Sequence, residues 1–336
     1  MQDASVNGSG STKLNYFVGK RVLVTGAAGS VGASLCQRLV GIPGVSLGLL
    51  DHFDHGLLRL ADELGATTPS SESEIILCSV RDQAALARNF ERFAPDIVIH
   101  AAALKHVHLG ELVPSECVLT NLIGTRNVLA TAHRAGAGQF LLISSDKAAA
   151  PRCVMGAAKR LSELYLHGFV LEHATSMRVA AVRFGNVLGS QGSVAPRFAE
   201  QIEQGGPVTL THPEMERYFL NLDEAVDLIL SVAAQGRAGA VTATYVKDMG
   251  QPVSILRLAE EMIARSNQAV AITVTGLRPG EKLSERLFDA FEDVYESGLA
   301  GVYATTPRNP GAHVSSHDIN ELESLACAGD EKVLRD

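Results

Sequence analysis

The sequence predicts an α/β fold, a doubly wound parallel sheet with a smaller C-terminal lobe interleaved with it. Two observations support this fold class. Short apolar, β-branched runs alternate with helical stretches from residue 21 to about residue 184. The first run also enters a glycine-rich turn that opens a helix. Repeated strand–helix units of this kind favour parallel strands with helices on both faces of the sheet.

Length and charge narrow the choice of function. The chain has 336 residues, of which 46% are hydrophobic, enough for one large α/β unit or two closely packed lobes. The net charge is −8, and lysine and arginine are scattered without a basic block. No apolar run is long enough to span a bilayer. We therefore expect no nucleic-acid partner and no membrane contact for this chain.

Cysteine usage indicates the compartment. Five cysteines occur, and none forms a Cys-x-x-Cys pair. An odd count without paired spacing does not predict a disulfide framework. We expect reduced thiols packed as small apolar residues, and hence a reducing, cytoplasmic location.

The first strand–helix unit follows a tail. Residues 1–14 are rich in Ser, Gly and Asn without periodicity, so a flexible tail is predicted there. Arg21–Thr25 reads as a short strand, Ala33–Val40 as the helix after the glycine-rich turn, and Leu47–Asp51 as the second strand. The order strand, turn, helix, strand is that of a βαβ unit.

The glycines of this unit indicate a Rossmann dinucleotide site. Gly26 permits a tight turn, Gly29 lets a pyrophosphate approach the backbone, and Gly32 allows close packing of helix on strand. The helix N-terminus supplies N–H donors for phosphate. Asp51 stands where an acid accepts hydrogen bonds from the adenosine ribose, and no arginine directly follows it, which favours NAD over NADP. The alternative is a glycine-rich turn beside an ordinary surface aspartate. The cofactor residues predicted from this unit are Thr25, Gly26, Gly29, Ser30, Val31, Gly32 and Asp51.

The alternation continues and then loosens after residue 184. We predict a dinucleotide-binding domain from residues 15–183 plus 221–248, and a second lobe from 184–220 plus 249–330. The last ~25 residues carry little pattern. Further strands are predicted at 75–78, 96–100, 140–144, 177–184 and 242–246, and helices at 82–93, 112–135, 154–171, 194–204, 223–234 and 254–266.

Chemistry-bearing side chains follow the strand that ends at Ser144. Ser145, Asp146 and Lys147 come directly after it, and Met155 and Lys159 lie one helical turn apart in the next helix. The C-terminal ends of parallel strands form the edge where ligands bind, so a reaction site is predicted here. The alternatives are a surface Asp–Lys ion pair and a methionine that only fills the core.

Eight short motifs lie between Gly19 and Phe288. They are Thr25-Gly26-x-x-Gly29-x-x-Gly32, His100-Ala-Ala-Ala-Leu-Lys-His-Val107, Asn121-x-x-Gly124-Thr125, Ser145-Asp-Lys-Ala148, Met155-Gly-Ala-x-Lys159-Arg160, Arg183-Phe-Gly-Asn-Val-Leu-Gly-Ser190, Pro213-Glu-Met-x-Arg217-Tyr-Phe219 and Gly276-Leu-Arg-Pro-Gly-Glu-Lys282. Together they resemble the extended short-chain dehydrogenase/reductase superfamily. Within it they are similar to the UDP-N-acetylglucosamine 4,6-dehydratases of polysaccharide biosynthesis.

Two departures from that family stand out. Ser79 occupies a position where the family often has an aspartate near the adenine. Many members also carry an N-terminal membrane-spanning region and a second nucleotide-binding-like domain, and this sequence has neither. The expectation is a stand-alone form or a piece cut from a longer protein.

The resemblance implies a reaction. Relatives in the wider superfamily use Tyr-x-x-x-Lys, but here Met155 replaces the tyrosine, and a thioether cannot transfer a proton. The Tyr16-x-x-x-Lys20 string precedes the first strand and is expected to lie at the wrong edge of the sheet. The implied scheme oxidises C4 of the sugar, eliminates the C5 proton and C6 hydroxyl, and returns hydride to C6. Lys147 would take the C5 proton and Asp146 would protonate the departing hydroxyl.

The resemblance also implies the remaining contacts. Asn121 is expected to be a structural polar group, and Lys159 to bind the nicotinamide ribose. His100, His106 and His108 lack acidic or thiol neighbours in sequence, so no metal is predicted. A UDP-sugar substrate and a homo-oligomer are implied. The further cofactor residues are Val80, Ala101, Ala102, Ala103, Asn121 and Lys159, and the substrate residues are Lys105, Asn186, Val194, Arg217, Arg278 and Glu281.

Other functions stay open at this point. A UDP-sugar epimerase shares the ketone-forming step, although C4 epimerases usually keep the tyrosine. A 5,6-dehydratase would stop before hydride return. A non-catalytic NAD-binding module is the third alternative, because the usual tyrosine is absent.

Overall fold

The computed structural model describes residues 13–67, 72–190, 192–235, 242–309, 311 and 313–335. Residues 1–12 of the predicted tail lie outside the described residues. Within the described residues, no helix combines the length and apolar character needed to cross a membrane.

The strands alternate with helices as the sequence predicts. The strands are β1 (Arg21–Thr25), β2 (Ser46–Asp51), β3 (Glu74–Leu77), β4 (Ile97–His100), β5 (Gln139–Ile143), β6 (Arg178–Arg183), β7 (Asn186–Val187), β8 (Val208–Leu210), β9 (Glu216–Arg217), β10 (Phe219–Leu220), β11 (Ala243–Lys247), β12 (Val253–Ser254), β13 (Ile272–Val274), β14 (Glu292–Glu296) and β15 (Val302–Pro307).

The helices cover both faces of the large sheet. They are α1 (Ser30–Val40), α2 (Asp54–Glu63), α3 (Gln83–Phe93), α4 (Val107–Leu112), α5 (Pro114–Val118), α6 (Gly124–Arg134), α7 (Val154–His173), α8 (Val194–Glu203), α9 (Leu222–Ala234), α10 (Ile255–Ser266), α11 (Ser316–Ala328) and α12 (Glu331–Arg335). A π-helical turn joins α5 to α6, and a short 3₁₀ turn spans Asp146–Ala148.

A nine-stranded sheet has the order β14-β15-β11-β6-β5-β4-β1-β2-β3. Its strands from β3 to β11 are parallel, and β15 and β14 add antiparallel strands at one edge. Chain order reverses between β1 and β4, which is the switch point where doubly wound folds bind ligands. The predicted parallel, doubly wound architecture is confirmed.

Two large hydrophobic cores lie on the faces of this sheet, and a third is separate. The third contains Phe198 and Ile202 of α8, Val208 and Leu210 of β8, and Ile255 of α10. A separate core made by segments 194–215 and 255–272 gives a physical basis for the predicted smaller lobe. The lobe boundaries themselves remain a prediction.

Three features differ from the sequence-based expectations. The helix predicted at 112–135 begins at Pro114 and contains a π-helical turn at Leu119–Ile123. Strands β14 and β15 come from the segment assigned to the smaller lobe, yet they extend the large sheet. The weakly patterned C-terminal stretch forms α11 and α12, which are short or mostly exposed. The sequence did not predict these two helices because few of their residues are buried, so their amphipathic pattern is weak.

Candidate active site

The glycine-rich turn between β1 and α1 forms a cradle open to one side. Gly26 has φ +69°, and a Cβ there would lie 2.6 Å from the Ala102 backbone nitrogen. A Cβ on Gly32 would lie 2.1 Å from the Gly26 carbonyl oxygen. Gly29 is exposed, and its Cβ would meet only that carbonyl, at 3.3 Å. The backbone at Gly29 and the N-terminus of α1 are therefore open to an anion such as a pyrophosphate.

Asp51 ties this turn to the end of β2. One carboxylate oxygen accepts from the Ala28 N–H at 2.9 Å, and the other accepts from the N–H groups of His52 and Phe53 at 2.8 and 3.0 Å. The predicted ribose acceptor is thus an anchored carboxylate at the correct strand end. Its charge disfavours a phosphate at the same place.

The residues after β3 and β4 border the same edge. Val80 is 5% exposed and packs on Gly124, where a Cβ would lie 2.7 Å from Val80 Cγ2. The Ala101 N–H donates to the Thr25 carbonyl at 3.0 Å. The Ala101 and Ala102 contacts bring the start of the 101–103 segment beside the glycine cradle, whereas Val80 lies against Gly124 of α6.

Buried hydrogen bonds connect Thr25, His100 and Thr125 next to the switch point between β1 and β4. Thr125 Oγ1 donates to the Asn121 carbonyl at 2.6 Å and lies 3.1 Å from His100 Nε2, so Nε2 is the donor between them. His100 Nδ1 then accepts from Thr25 Oγ1 at 2.7 Å. Burial, with Lys159 nearby, lowers the pKa of His100 to about 3. His100 is therefore a neutral structural group. The described residues contain no cluster of three or more His, Cys, Asp or Glu that suits a metal.

Asn121 has the structural role expected of it. Its Oδ1 accepts from the Leu104 N–H at 2.8 Å, and its Nδ2 donates to the Leu104 carbonyl at 2.9 Å. The π-helical turn that contains Asn121 therefore fixes the loop after β4. This loop continues to Lys105, whose side chain is exposed at the surface although partial desolvation lowers its pKa.

The turn after β5 brings an acid and an amine together. Asp146 is fully buried, and its Oδ1 accepts from Lys147 Nζ at 2.9 Å and from Ser145 Oγ at 3.0 Å. Lys147 Nζ also donates to Asn186 Oδ1 at 3.0 Å. Among the described residues, Asp146 Oδ2 has no hydrogen-bond partner although it is buried. A buried oxygen left unpaired is costly, and such atoms are concentrated at functional sites.

Lys159 and Met155 face this turn from α7. Lys159 is 5% exposed and its Nζ donates to the Ile143 carbonyl at 2.8 Å. Burial lowers the pKa of Lys159 to about 8, against the opposing influence of Cys117 and Glu163. Met155 is 3% exposed. Tyr16, of the other Tyr-x-x-x-Lys string, donates to Gln139 at the opposite end of β5, as expected.

A buried charge network contacts residues on both sides of the candidate catalytic turn, residues 145–147. Arg183 is 0% exposed and bonds Glu163 of α7 and Glu292 of β14. Ser144 Oγ donates to Glu163 at 2.7 Å, and Arg160 contacts both carboxylates. These bonds raise the pKa of Arg183 despite its burial. The network connects the ends of β5 and β6 to α7.

The same region restrains the loop that leads into α7. Ala150 has φ +45°, which is unfavourable for a residue with a Cβ. Its N–H donates to Asp289 Oδ2 at 2.9 Å, and the Asp289 N–H donates to Glu292 at 2.8 Å. The strained position of Ala150 is therefore held by the charge network.

A cavity of about 220 Å³ is lined by residues of the segments 184–220 and 249–330. It is lined by five of the six predicted substrate residues: Asn186, Val194, Arg217, Arg278 and Glu281. The sixth, Lys105, does not line it. Lys105 precedes His106, against whose ring Gly192 of the cavity packs, with a Cβ there 2.9 Å from Cε1.

The two predicted phosphate arginines differ in their surroundings. The guanidinium of Arg217 donates to the carbonyls of Glu216, Leu283 and Lys282 at 2.7, 3.1 and 3.0 Å. Several of its N–H groups are therefore used to bind the main chain. Arg278 is held through its main chain, since its N–H donates to Glu281 Oε2 at 3.0 Å. Among the described residues, the Arg278 guanidinium makes no hydrogen bond or ion pair.

Some site residues were not predicted. Ser193 and Arg197 of the α8 entrance, and Thr209 of β8, also line the cavity. The glycine- and serine-rich run before α8 was the available signal for Ser193. Arg183 lies inside a recognised motif, but its partner Glu292 is 109 residues away in sequence, so no local pattern joins them.

The chain is similar in sequence to known proteins. The profile of the polysaccharide biosynthesis protein family matches residues 22–307. The capsular polysaccharide biosynthesis protein CapD of Staphylococcus aureus is 40% identical over 290 residues, which are 84% of this chain and 48% of CapD. The chain thus spans about half the length of that relative. A UDP-glucose 4-epimerase of Rickettsia prowazekii is 30% identical over 324 residues, covering 94% of this chain and 89% of the epimerase.

A solved structure supports the fold. DesIV, a dTDP-glucose 4,6-dehydratase from Streptomyces venezuelae solved with NAD bound, superposes with a TM-score of 0.69 at 21% identity. The match covers 93% of this chain and 97% of DesIV. The family resemblance expected from the motifs is confirmed. The chain belongs to the polysaccharide biosynthesis protein family and has the fold of the extended short-chain dehydrogenases/reductases.

Proposed function

We propose that the chain catalyses NAD-dependent dehydration of a UDP-amino sugar, converting UDP-N-acetylglucosamine to its 4-keto-6-deoxy product. The observation that carries the proposal is the Asp146–Lys147 pair at the C-terminal end of β5. It supplies an acid and a base, and Asp146 keeps one buried oxygen unpaired. Met155 stands one helical turn before Lys159, so no tyrosine performs the proton transfer there.

The residues present fit NAD. The cradle at Gly26, Gly29 and Gly32 leaves room for a pyrophosphate, and the anchored Asp51 carboxylate suits a ribose without a 2′-phosphate. Lys159, buried on α7 beside the end of β5, would bind the nicotinamide ribose. When bound, NAD supplies reversible hydride transfer with the sugar.

The elimination needs a base and an acid on neighbouring carbons. Once C4 is a ketone, the C5 proton becomes acidic, and Lys147 in its amine form takes that proton. The electron pair of the C5–H bond forms the C5–C6 double bond and expels the C6 hydroxyl. Asp146 donates a proton to the hydroxyl, which leaves as water. The 2.9 Å contact between Lys147 and Asp146 then allows proton return between them.

The cavity beside the catalytic turn suits the nucleotide part of the substrate. Arg278 projects from its loop into the cavity wall, and the fork of an arginine matches a diphosphate. Glu281 offers an acceptor for ribose hydroxyls. The α8 N-terminus at Ser193 and Val194 adds backbone N–H donors near the same space.

A specific observation favours a second function. The Rickettsia relative is named a UDP-glucose 4-epimerase and covers most of this chain. Epimerisation at C4 shares the ketone step but needs no elimination, so it leaves the role of Asp146 unexplained. A 5,6-dehydratase or a non-catalytic NAD-binding module would share the same cradle.

Product mass separates these functions. The purified protein is incubated with UDP-N-acetylglucosamine, and the sugar nucleotide is analysed by mass spectrometry and NMR. Loss of one water with formation of a 4-ketone is expected. An isomer of unchanged mass would establish an epimerase, and unaltered substrate in the presence of retained NAD would favour a binding module. Denaturation of the same sample is expected to release NAD rather than NADP.

A further inference from the structure

Lys147 has two fixed hydrogen-bond acceptors. Its Nζ donates to Asp146 Oδ1 at 2.9 Å and to Asn186 Oδ1 at 3.0 Å. An amine that accepts a proton has two N–H bonds and one lone pair. The nitrogen is tetrahedral. When its two N–H bonds are directed at fixed acceptors, its lone pair can therefore point in one direction only. The two acceptors therefore determine where Lys147 can remove a proton.

Asn186 is held firmly from the smaller lobe. It lies in β7, which pairs with β10 so that Asn186 is opposite Phe219. Its N–H donates to the Tyr218 carbonyl at 2.8 Å. Gly185, the preceding residue, has no space for a side chain, since a Cβ there would lie 2.7 Å from the same carbonyl oxygen. The backbone that presents the Asn186 side chain is therefore firmly held.

We propose that Asn186 is a positioning residue that directs the lone pair of Lys147 towards the C5 proton of the substrate. The inference rests on the proposed dehydration, and it differs from the substrate contact that the family resemblance implies for Asn186. Asn186 also lines the 220 Å³ cavity, so one residue both contacts Lys147 and borders the proposed nucleotide site.

An amide suits this task better than a carboxylate. A carboxylate at position 186 would place a negative charge beside Lys147 and favour its ammonium form, which has no lone pair and cannot accept a proton. The carbonyl oxygen of Asn186 accepts an N–H bond without adding a charge. The residue type is therefore matched to a base that must lose its proton before it reacts.

Lys159 of α7 is another cation beside this turn, and its Nζ is held by the Ile143 carbonyl at 2.8 Å. Lys282 donates to the Ala149 carbonyl at 3.2 Å and pairs with Glu285 at 3.0 Å, which limits its effect on the turn. Burial raises the pKa of the Cys153 thiol at the start of α7, which keeps it uncharged. Asp146 and Asn186 are therefore the groups that contact the amine directly.

Two substitutions separate orientation from charge. Asn186→Asp keeps an oxygen acceptor of the same shape but adds a negative charge. Asn186→Ala removes the acceptor. Asn267→Asp, at the exposed C-cap of α10, adds the same charge outside the site and serves as the matched control. The NAD-loaded proteins are incubated with UDP-N-acetylglucosamine in D₂O across a pH series, and deuterium at C5 is measured.

The expected pattern is specific to a positioning role. Asn186→Ala slows C5 exchange ~10²-fold at every pH, the size of effect expected from a misdirected reacting group. Asn186→Asp is slow near neutral pH and recovers at higher pH, because the acceptor is retained while the ammonium form persists longer. Asn267→Asp follows the unsubstituted protein. Equal losses in Asn186→Asp and Asn186→Ala at all pH values, or a rise in KM with unchanged exchange at saturation, would overturn the proposal.

A second measurement does not depend on turnover. The side-chain ¹⁵N signal of Lys147 is identified by its disappearance in Lys147→Arg and followed by NMR through a pH titration without substrate. Asn186→Asp is expected to hold the ammonium form to higher pH than the unsubstituted protein, and Asn267→Asp is not. An unchanged titration in Asn186→Asp would overturn the contact even if dehydration is observed. If dehydration is not observed, the proposed function fails, and a shifted titration would still establish the Asn186–Lys147 contact.

Discussion

Lys147 Nζ lies 2.9 Å from Asp146 Oδ1, while the other oxygen of this fully buried carboxyl has no partner among the described residues. When Lys147 acts as the base, a proton on the unpaired Oδ2 would make Asp146 the acid, while Oδ1 still accepts from Lys147 Nζ. The lone pair of the amine then stays free for the C5 proton, and the pair has a base on one residue and an acid on the other, as elimination requires.

The first prediction concerns this pair. Lys147→Ala is expected to abolish deuterium incorporation at C5 in D₂O, because it removes the base. Asp146→Asn is expected to slow loss of the C6 hydroxyl and to leave some C5 exchange. General acid–base groups contribute ~10²–10⁴-fold each, so both effects are measurable by NMR and mass spectrometry. Lys332→Ala, on the exposed helix α12, is the control. Full C5 exchange in Lys147→Ala would contradict the assignment.

The second prediction separates the two α7 residues. Met155→Ala is expected to retain substantial activity, since a thioether moves no proton and its role is packing. Lys159→Ala is expected to lose most activity, because the site loses its buried cation. Product formation under saturating substrate measures both. If Met155→Ala is inactive while its fold and NAD content are intact, Met155 has a chemical role that this scheme lacks.

The third prediction uses the glycine cradle. Gly32→Ala is expected to lose NAD and stability, because its Cβ would lie 2.1 Å from the Gly26 carbonyl oxygen. Gly29→Ala is expected to fold but bind NAD weakly, because its methyl group occupies the approach to the backbone. Gly41→Ala, at the end of the same helix, has no atom within 4 Å of the added Cβ and is the control. NAD content and thermal unfolding are measured together. Wild-type NAD content in Gly29→Ala would contradict the proposed pyrophosphate position.

Local sequence information predicted most of the large sheet and part of the site. The glycine cradle and the Asp146–Lys147 turn were predictable because each lies within one strand–turn–helix unit. The partners of Arg183 and Arg217 were not, because they come from distant segments around residues 282–292. Arg217 shows the limit most clearly: residue type suggested a phosphate contact, whereas its guanidinium bonds three backbone carbonyls.

The fourth prediction concerns pH. Burial lowers the pKa of Lys159 to about 8, so its ammonium is present below pH 8 and is lost as pH rises through that value. Affinity of nucleotide-free protein for NAD is therefore expected to fall over this range, measured by calorimetry. Lys159→Met is expected to bind weakly without this pH dependence. Equal pH profiles for the two proteins would contradict a role for the ammonium in NAD binding.

The lowered pKa of Lys159 also affects the free energy of unfolding, which is expected to rise with pH where the affinity for NAD falls. The folded value lies below the ordinary 10.5 for lysine, so between about 8 and 10.5 the unfolded chain binds the extra proton. The contribution of Lys159 to the free energy of unfolding therefore rises with pH in this window. Urea unfolding of nucleotide-free protein, compared with Lys159→Met, measures the difference. A smaller rise is expected in the variant.

The last prediction tests the buried charge network. Arg183→Met leaves the carboxylates of Glu163 and Glu292 without their shared partner, although Arg160 still contacts both. Removing one member of a buried ion pair costs ~3–5 kcal/mol, so a loss of this size in the free energy of unfolding is expected by urea denaturation. Arg257→Ala breaks the exposed Arg257–Glu261 pair, at 3.8 Å, and should cost less than ~1 kcal/mol.

The same network makes the stability of the protein sensitive to acid. Arg183 and Arg160 lower the pKa of Glu292 against the opposing effect of burial. A carboxyl whose folded pKa is depressed stabilises the fold above its unfolded value of 4.5 and loses that contribution as pH falls below it. Arg183→Met is therefore expected to lose less stability on acidification than the unsubstituted protein does.

Because Ser144 and Ala150 are attached to this network, the variant should also slow turnover even where it remains folded. A variant with unchanged stability and turnover would show that the network does not support the catalytic turn.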